Sequence, residues 1–309
     1  MAVDLSGSTI DLSRLPAPAI IEALSYETLQ SAFLARFSTV WAAARAIDSS
    51  LPAYDVGVLE TDPVVIASQA WSYLRLLDRS RVNDAVKAVL APLAAGDDLD
   101  NVVARANVQR LVVTPATGDQ AAVMESDARL LMRYLLAFSR PAAGSREGYL
   151  YDVYTALPTL YHAQVNGRAV HGRRGDVDVV LSGPAGRDLT DSELAICRTA
   201  LLADNRKPEA VAVTALRATR NVYAVAGAIT VARGPDAETV RLEADARLVA
   251  TAADRMLIGG LVPVTALVGA LYGSGVVLAA ISAPVSDIAP DPYAIPILGA
   301  HAITAEAQT

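Results

Sequence analysis

Few residues in this sequence are of a type that does chemistry, and their spacing argues against it. Asp97, Asp98 and Asp100 stand close enough for a cation loop. A calcium loop needs Gly at its sixth position and Glu at its twelfth, where this chain has Val102 and Val108. The acids read instead as the start of a helix, where exposed N–H groups favour carboxylates. His171-Gly172-Arg173-Arg174-Gly175 has the basic and small residues of a phosphate loop but lacks the Walker arrangement and precedes a strand, so it reads as a solvated turn. Gly273-Ser274-Gly275 follows a helix and precedes a strand, the reverse of a dinucleotide-binding turn. Cys197 lies among Leu194, Ile196 and Leu201, where a lone thiol behaves as a small hydrophobe, and no Gly-x-Ser-x-Gly elbow accompanies it. His162 and His171 are separated by a predicted loop, with no acid at a spacing that makes a dyad or metal pair. These readings assign no catalytic, cofactor or metal residue.

The elements that would have to position such residues are set by composition. At 309 residues, and roughly 100–200 per domain, two or three domains are expected. The net charge of −7 provides no field for nucleic acid or an anionic membrane. One cysteine excludes an internal disulfide framework and any multi-cysteine zinc site. Aromatics are 5% against a hydrophobic content of 53%, because alanine is so abundant; much of the apolarity is therefore small side chains on helices. The first residues, Met1 to Ser6, show no basic segment followed by an apolar run, so no secretory signal is expected. The uncharged tract Met256 to Ser286 exceeds the ~20 residues a spanning helix needs, but Pro263, Pro284 and five glycines divide it, which predicts a helix, a turn and a strand rather than a membrane span.

The chain reads as α+β, a helical amino-terminal region followed by two or more small α+β modules. Leu29, Phe33, Phe37, Val40, Trp41 and Ala44 recur at helical spacing, on a helix that ends near Ser49 to Pro52. A second helical tract runs from about Pro63 to Leu93, with Ile66, Ala70, Tyr73, Leu74 and Leu77 on one stripe. Leu29, Phe33, Phe37, Val40, Trp41, Ile66, Tyr73 and Leu77 are the candidate interface residues, since long amphipathic helices must pair with each other or with another chain. Residues 126–138 form a further helix, and 142–161, with four tyrosines, reads as a loop. A β-α-β unit follows, with strands at Asp176–Ser182 and Val211–Leu216 around a helix opened by the capping box Thr190-Asp191-Ser192-Glu193. A second module has a strand at 222–231, a helix over about 238–256 that begins after Gly234-Pro235-Asp236, a helix near 263–272, a strand at 276–282, and a Pro-rich tail. The expected division is a helical region over 1–115, a helix-plus-loop connector over 116–165, a small α+β module over 166–220, and a second over 221–309.

Several blocks together resemble the baseplate J-like family of contractile phage tails and phage-tail-like injection particles. They are Ile10 to Pro18 with Leu-Pro-Ala-Pro, the following Ile20-Ile21-Glu22-Ala23-Leu24, and Arg81-Val82-Asn83-Asp84-Ala85 continuing through Gly96-Asp97-Asp98-Leu99-Asp100 to Val108-Gln109-Arg110-Leu111 and Ala116. Glu125, Asp127, Leu130 and Arg133, Arg206-Lys207-Pro208, Gly234-Pro235-Asp236, Ser282-Ala283-Pro284, Asp287-Ile288 and Pro292-Tyr293 extend the likeness along the chain. Two departures stand out: Ile258-Gly259-Gly260-Leu261 where relatives carry Gly-Arg-Asp-Ile, and the tyrosine-rich 142–161 segment.

The resemblance implies a structural baseplate wedge protein without enzymatic activity or cofactor. It implies paired copies of the chain in a ring, with other wedge proteins joining in a helical bundle. Hub or spike and sheath-linking proteins are further implied partners, and the ring relays the contraction signal. Its expected place is the tail baseplate of the virion, after assembly in the bacterial host cytoplasm. A subunit of a cellular injection particle (tailocin) fits the same likeness. From another class, a soluble α/β enzyme could draw on scattered carboxylates such as Asp152, Asp176 and Asp178, and a perturbed carboxylate in an apolar pocket would favour it.

Overall fold

Helix α1 (Tyr26–Ile47) begins where Ser25 accepts a hydrogen bond from the Thr28 N–H, an ordinary hydroxyl N-cap. Helix α2 (Pro63–Ala88) is opened by Asp62, whose carboxylate accepts from the N–H groups of Val64 and Val65, with Pro63 at the first helical position where its missing donor costs nothing. A computed structural model of the chain describes residues 16, 18–55, 59–138, 140, 142–203, 206–234 and 236–308. The opening Met1 to Ser6, most of the Ile10 to Pro18 block, Pro141 and Pro235 lie outside the described residues. The chain divides after Arg105 into two compact units.

The amino-terminal unit pairs α1 with α2. α2 ends at Ala88, earlier than the expected Leu93, because Leu90 to Ala94 turn back on themselves through short-range backbone bonds. Helix α3 (Gly96–Val103) starts at the acidic run, but its N-cap is Ala95, without a side-chain cap. Asp97 and Asp98 instead occupy the first turn, where their charge opposes the positive end of the helix dipole.

The second unit opens with the short strands β1 (Val112–Thr114) and β2 (Val123–Met124), paired antiparallel, and helix α4 (Asp127–Ala137) capped by Ser126. The expected loop at 142–161 is a correction: it contains helix α5 (Arg146–Ala156). Tyr149, Leu150, Tyr151, Asp152, Val153 and Tyr154 are all buried, so α5 is covered on all sides and shows no amphipathic period to read. The predicted loop between His162 and His171 is likewise corrected, to strand β3 (His162–Asn166) and a short helix α6 (Arg168–His171).

Strand β4 (Asp176–Ser182), helix α7 (Asp191–Leu201) and strand β5 (Ala212–Arg217) form the expected β-α-β unit, with β4 and β5 parallel and Val179 opposite Ala215. The capping box is present, with Thr190 and Glu193 each accepting from the other's backbone N–H. β3 pairs antiparallel to β4, giving the order β3-β4-β5.

The final module is built on strand β6 (Thr219–Val231), followed by helix α8 (Ala237–Arg255), helix α9 (Val264–Leu271) and strand β7 (Val276–Ala283). The uncharged tract is thus helix, turn and strand, and no helix among the described residues is long and apolar enough to cross a membrane. The expected Pro-rich tail is corrected to a long strand, β8 (Ala294–Ala307), parallel to β6 in a sheet of order β7-β6-β8. Pro296 is tolerated because β8 is an edge strand with one free side. Val240, Ala244 and Leu248 of α8 pack on Val225, Ile229 and Val231 of β6, together with Leu267 and Leu271 of α9. Alanine at the centre of the α8 stripe lets helix and sheet approach closely. A second cluster, Val180, Ala218, Ile258, Ile295 and Ile297, joins the two three-stranded sheets.

Candidate interaction surface

Packing between α1 and α2 decides which of the eight candidate interface residues remain available. Leu29 is buried in the helix pair, Gln30 donates to the Ser68 hydroxyl at 3.3 Å, and the Phe33 and Trp71 rings meet at 5.3 Å. Phe37 is held between Trp41 and Tyr54, with ring centroids at 5.7 and 4.9 Å, and the Trp41 indole N–H donates to the Pro52 carbonyl. Four of the five predicted α1 residues, Leu29, Phe33, Phe37 and Trp41, thus make contacts within their own unit. Val40 points away, 52% exposed.

On α2 the pattern inverts. The face turned inward carries Val65, Ser68, Ser72 and Asn83, whereas Ile66, Tyr73 and Leu77 are 52%, 57% and 46% exposed. Leu74 extends the same exposed row. Two serines at the helix contact let the backbones approach, and the Ser68 hydroxyl satisfies itself on the Val65 carbonyl at 2.6 Å. Hydrophobicity alone predicts the apolar stripe to face α1; the inward face carries small and polar residues instead, with Gln30 of α1 at Ser68. The inward role of Asn83 is a residue the periodicity missed. Its side chain holds the backbone of Glu22, and Arg79 pairs with the Glu22 carboxylate at 2.9 Å. The available signal was the Arg-x-Asn-x-Ala spacing, which periodicity cannot interpret.

The carboxylates considered for catalysis are engaged in structural pairs. Asp152 lies 3.5 Å from the Arg206 guanidinium, and burial pushes its carboxyl above the usual range against the pull of Arg206 and Arg140. Asp178 is nearly buried; burial raises its carboxyl, but hydrogen bonds from the Tyr293 hydroxyl at 2.7 Å and from Arg173 outweigh that and hold it below the ordinary value. Arg173 also bonds Asp176, so these two acids share one cation and Asp152 uses another. Cys197 is fully buried, and burial, with Glu193 second, pushes its thiol up to about 11. Among the described residues, no three His, Cys, Asp or Glu side chains gather in a way that could hold a metal ion.

The tyrosine-rich segment has a structural use. Glu125 and Arg133, both buried, form an ion pair at 2.6 Å; Glu125 also accepts from the Leu111 N–H, and Arg133 donates to the Gln109 carbonyl. Tyr154 lies under the Arg129 guanidinium and Tyr151 under that of Arg133, at 5.0 and 5.8 Å. Glu125, the arginines of α4 and the α5 tyrosines are therefore one buried assembly.

An apolar row on α2 is thus left exposed, while the carboxylates considered for catalysis are paired with neighbouring arginines. Residues 60–117, which hold α2 and the Arg81 to Ala116 block, match the Baseplate J-like N-terminal domain. Over 301 residues the chain is 30% identical to Baseplate protein J of Escherichia phage P2, covering 90% of this chain and 92% of that protein. The chain belongs to the Baseplate J-like family.

Proposed function

We propose that this protein is a structural wedge component of a phage tail baseplate and has no catalytic role. The end-to-end likeness to Baseplate protein J of Escherichia phage P2 carries this reading. The solvent-facing row Ile66, Tyr73, Leu74 and Leu77 supports it, since an apolar helix face left in water is most simply accounted for by a partner that covers it. In this reading the 1–115 region contributes helices to a bundle shared with other wedge proteins. The modules over 166–220 and 221–309 make contacts between paired copies in a ring around the hub or spike, and the 116–165 segment connects the two parts. Rearrangement of that ring passes the contraction signal toward the sheath.

The test is assembly. Co-expression with the adjacent tail genes is expected to give a complex that stays together through size-exclusion chromatography. A chain that elutes as a monomer with every such partner overturns the proposal.

A further inference from the structure

A cleft of about 260 Å³ opens where α5, β3 and the 257–260 turn meet, and Arg146 lines it. Arg146 is the first residue of α5, where the helix dipole is already positive. Its Nε is buried without a hydrogen-bond partner, and no ion pair joins it to a carboxylate among the described residues. The neighbouring Glu147 does not line the cleft. The side chain as a whole is partly exposed, and a guanidinium at the positive end of a helix with one N–H kept from water and unpaired favours an anion beside it.

The rest of the cleft is shaped for a small group. His162 accepts the Ile258 N–H at Nδ1, 3.1 Å away, which anchors the turn to β3. Gly259 has φ +76°, a left-handed backbone that favours glycine, and a Cβ there would only touch Nε2 of Gln164, 3.7 Å away. At Gly260 a Cβ would come within 2.8 Å of the Arg255 and Leu257 carbonyl oxygens, so only glycine fits. Leu150 and Ile258 supply apolar wall. The volume falls below the roughly 300–1,000 Å³ of small-molecule pockets. One guanidinium, one amide and the His162 imidazole among apolar sides match a single carboxylate on a short apolar stem, whereas a phosphate dianion would be better met by several cations.

We propose that this cleft is a socket for one glutamate or aspartate side chain of a protein partner. The identity of that partner as another tail protein rests on the function proposed above. The socket itself is tested on the isolated chain by NMR, titrating N-acetylglutamate methylamide and following the Arg146 Nε–H and the Gly259 and Gly260 amides. The expected result is a saturable shift that the glutamine analogue does not produce. Arg146→Gln is expected to weaken binding about tenfold or more and Arg146→Lys less, with circular dichroism confirming that both variants fold. No saturable response, an equal response to the glutamine analogue, or tighter binding of inorganic phosphate overturns the proposal.

The second arm uses the co-expressed complex, which Arg146→Gln is expected to destabilise. An unchanged complex overturns the socket and leaves the baseplate reading standing. Absence of any wild-type complex counts against the baseplate reading instead, and the titration then decides the socket.

Discussion

Asn83 grips the backbone of Glu22 at two points, its Nδ2 donating to the Glu22 carbonyl at 2.9 Å and its Oδ1 accepting the Glu22 N–H at 3.1 Å. This amide clamp ties the segment before α1 to the far half of α2, across 61 residues of sequence. Asn83→Ala leaves both backbone groups without their partner and is expected to cost about 1–3 kcal/mol. Arg79→Ala removes only a half-exposed ion pair to the same Glu22 and is expected to cost below about 1 kcal/mol. Urea denaturation followed by tryptophan fluorescence measures both, because Trp41 and Trp71 lie on α1 and α2.

The buried Glu125–Arg133 pair supports a sharper contrast. Arg133→Met leaves the buried Glu125 carboxylate with only the Leu111 N–H and the Arg129 guanidinium, 3.8 Å from its other oxygen, and is expected to destabilise the second unit by about 3 kcal/mol, the low end for a broken buried pair. Adding Glu125→Leu is expected to recover only part of that loss, because it removes the unbalanced carboxylate but leaves Arg129 with backbone carbonyls alone. Near-ultraviolet circular dichroism reports the transition through the α5 tyrosines. A double variant as unstable as the single one would show that the pair acts through more than charge compensation.

Acid stability is expected to depend on Glu193. Hydrogen bonds from Arg187, and next to them the Thr190 cap, hold its carboxyl down at about 2 against a lesser opposing effect of burial, from an ordinary value of 4.5. A folded-state value below the unfolded one stabilises the fold fully above pH 4.5, and the contribution is lost as pH falls toward 2. Glu193→Gln is therefore expected to lower Tm at pH 6 and to flatten its fall between pH 4.5 and 2. An acid limb identical to wild type would contradict this assignment.

Cys197 is expected to be inert in the native protein. Its thiol is fully buried and raised to about 11, so little thiolate exists at neutral pH and reagents cannot reach it. Iodoacetamide at pH 8 is expected to label it only after urea is added. Rapid native labelling would show that α7 opens readily.

The exposed α2 row separates folding from assembly. Tyr73→Glu with Leu77→Glu alters side chains that water already reaches, so the isolated chain is expected to change by about 0.5 kcal/mol or less per site. The same double variant is expected to lose the co-expressed complex in size-exclusion chromatography. Retention of the complex would exclude this face from the interface.

Helices were legible from the sequence where a stripe or a start signal marked them: α1 and α2 by their apolar period, α7 by the capping box at Thr190 and α8 by the Gly234-Pro235-Asp236 entry. α5 was hidden because burial on all sides removes the period that marks a surface helix. β8 was hidden because its prolines signal loop, and only its place at the sheet edge makes Pro296 acceptable.

By itself the sequence determined which segments are helix or strand wherever one face differs from the other, because a two-sided environment imprints a period of about 3.6 or 2 on the residues. It also carried the family blocks from which the baseplate reading starts. The tertiary structure decided which apolar stripe was used internally. α1 keeps its aromatics against α2 and Tyr54, α2 meets α1 through Trp71 and an inward face of Val65, Ser68 and Ser72, and Ile66, Tyr73 and Leu77 are left to solvent. The choice depends on how volumes fit between two helices, and no single helix records the shape of the surface it will meet.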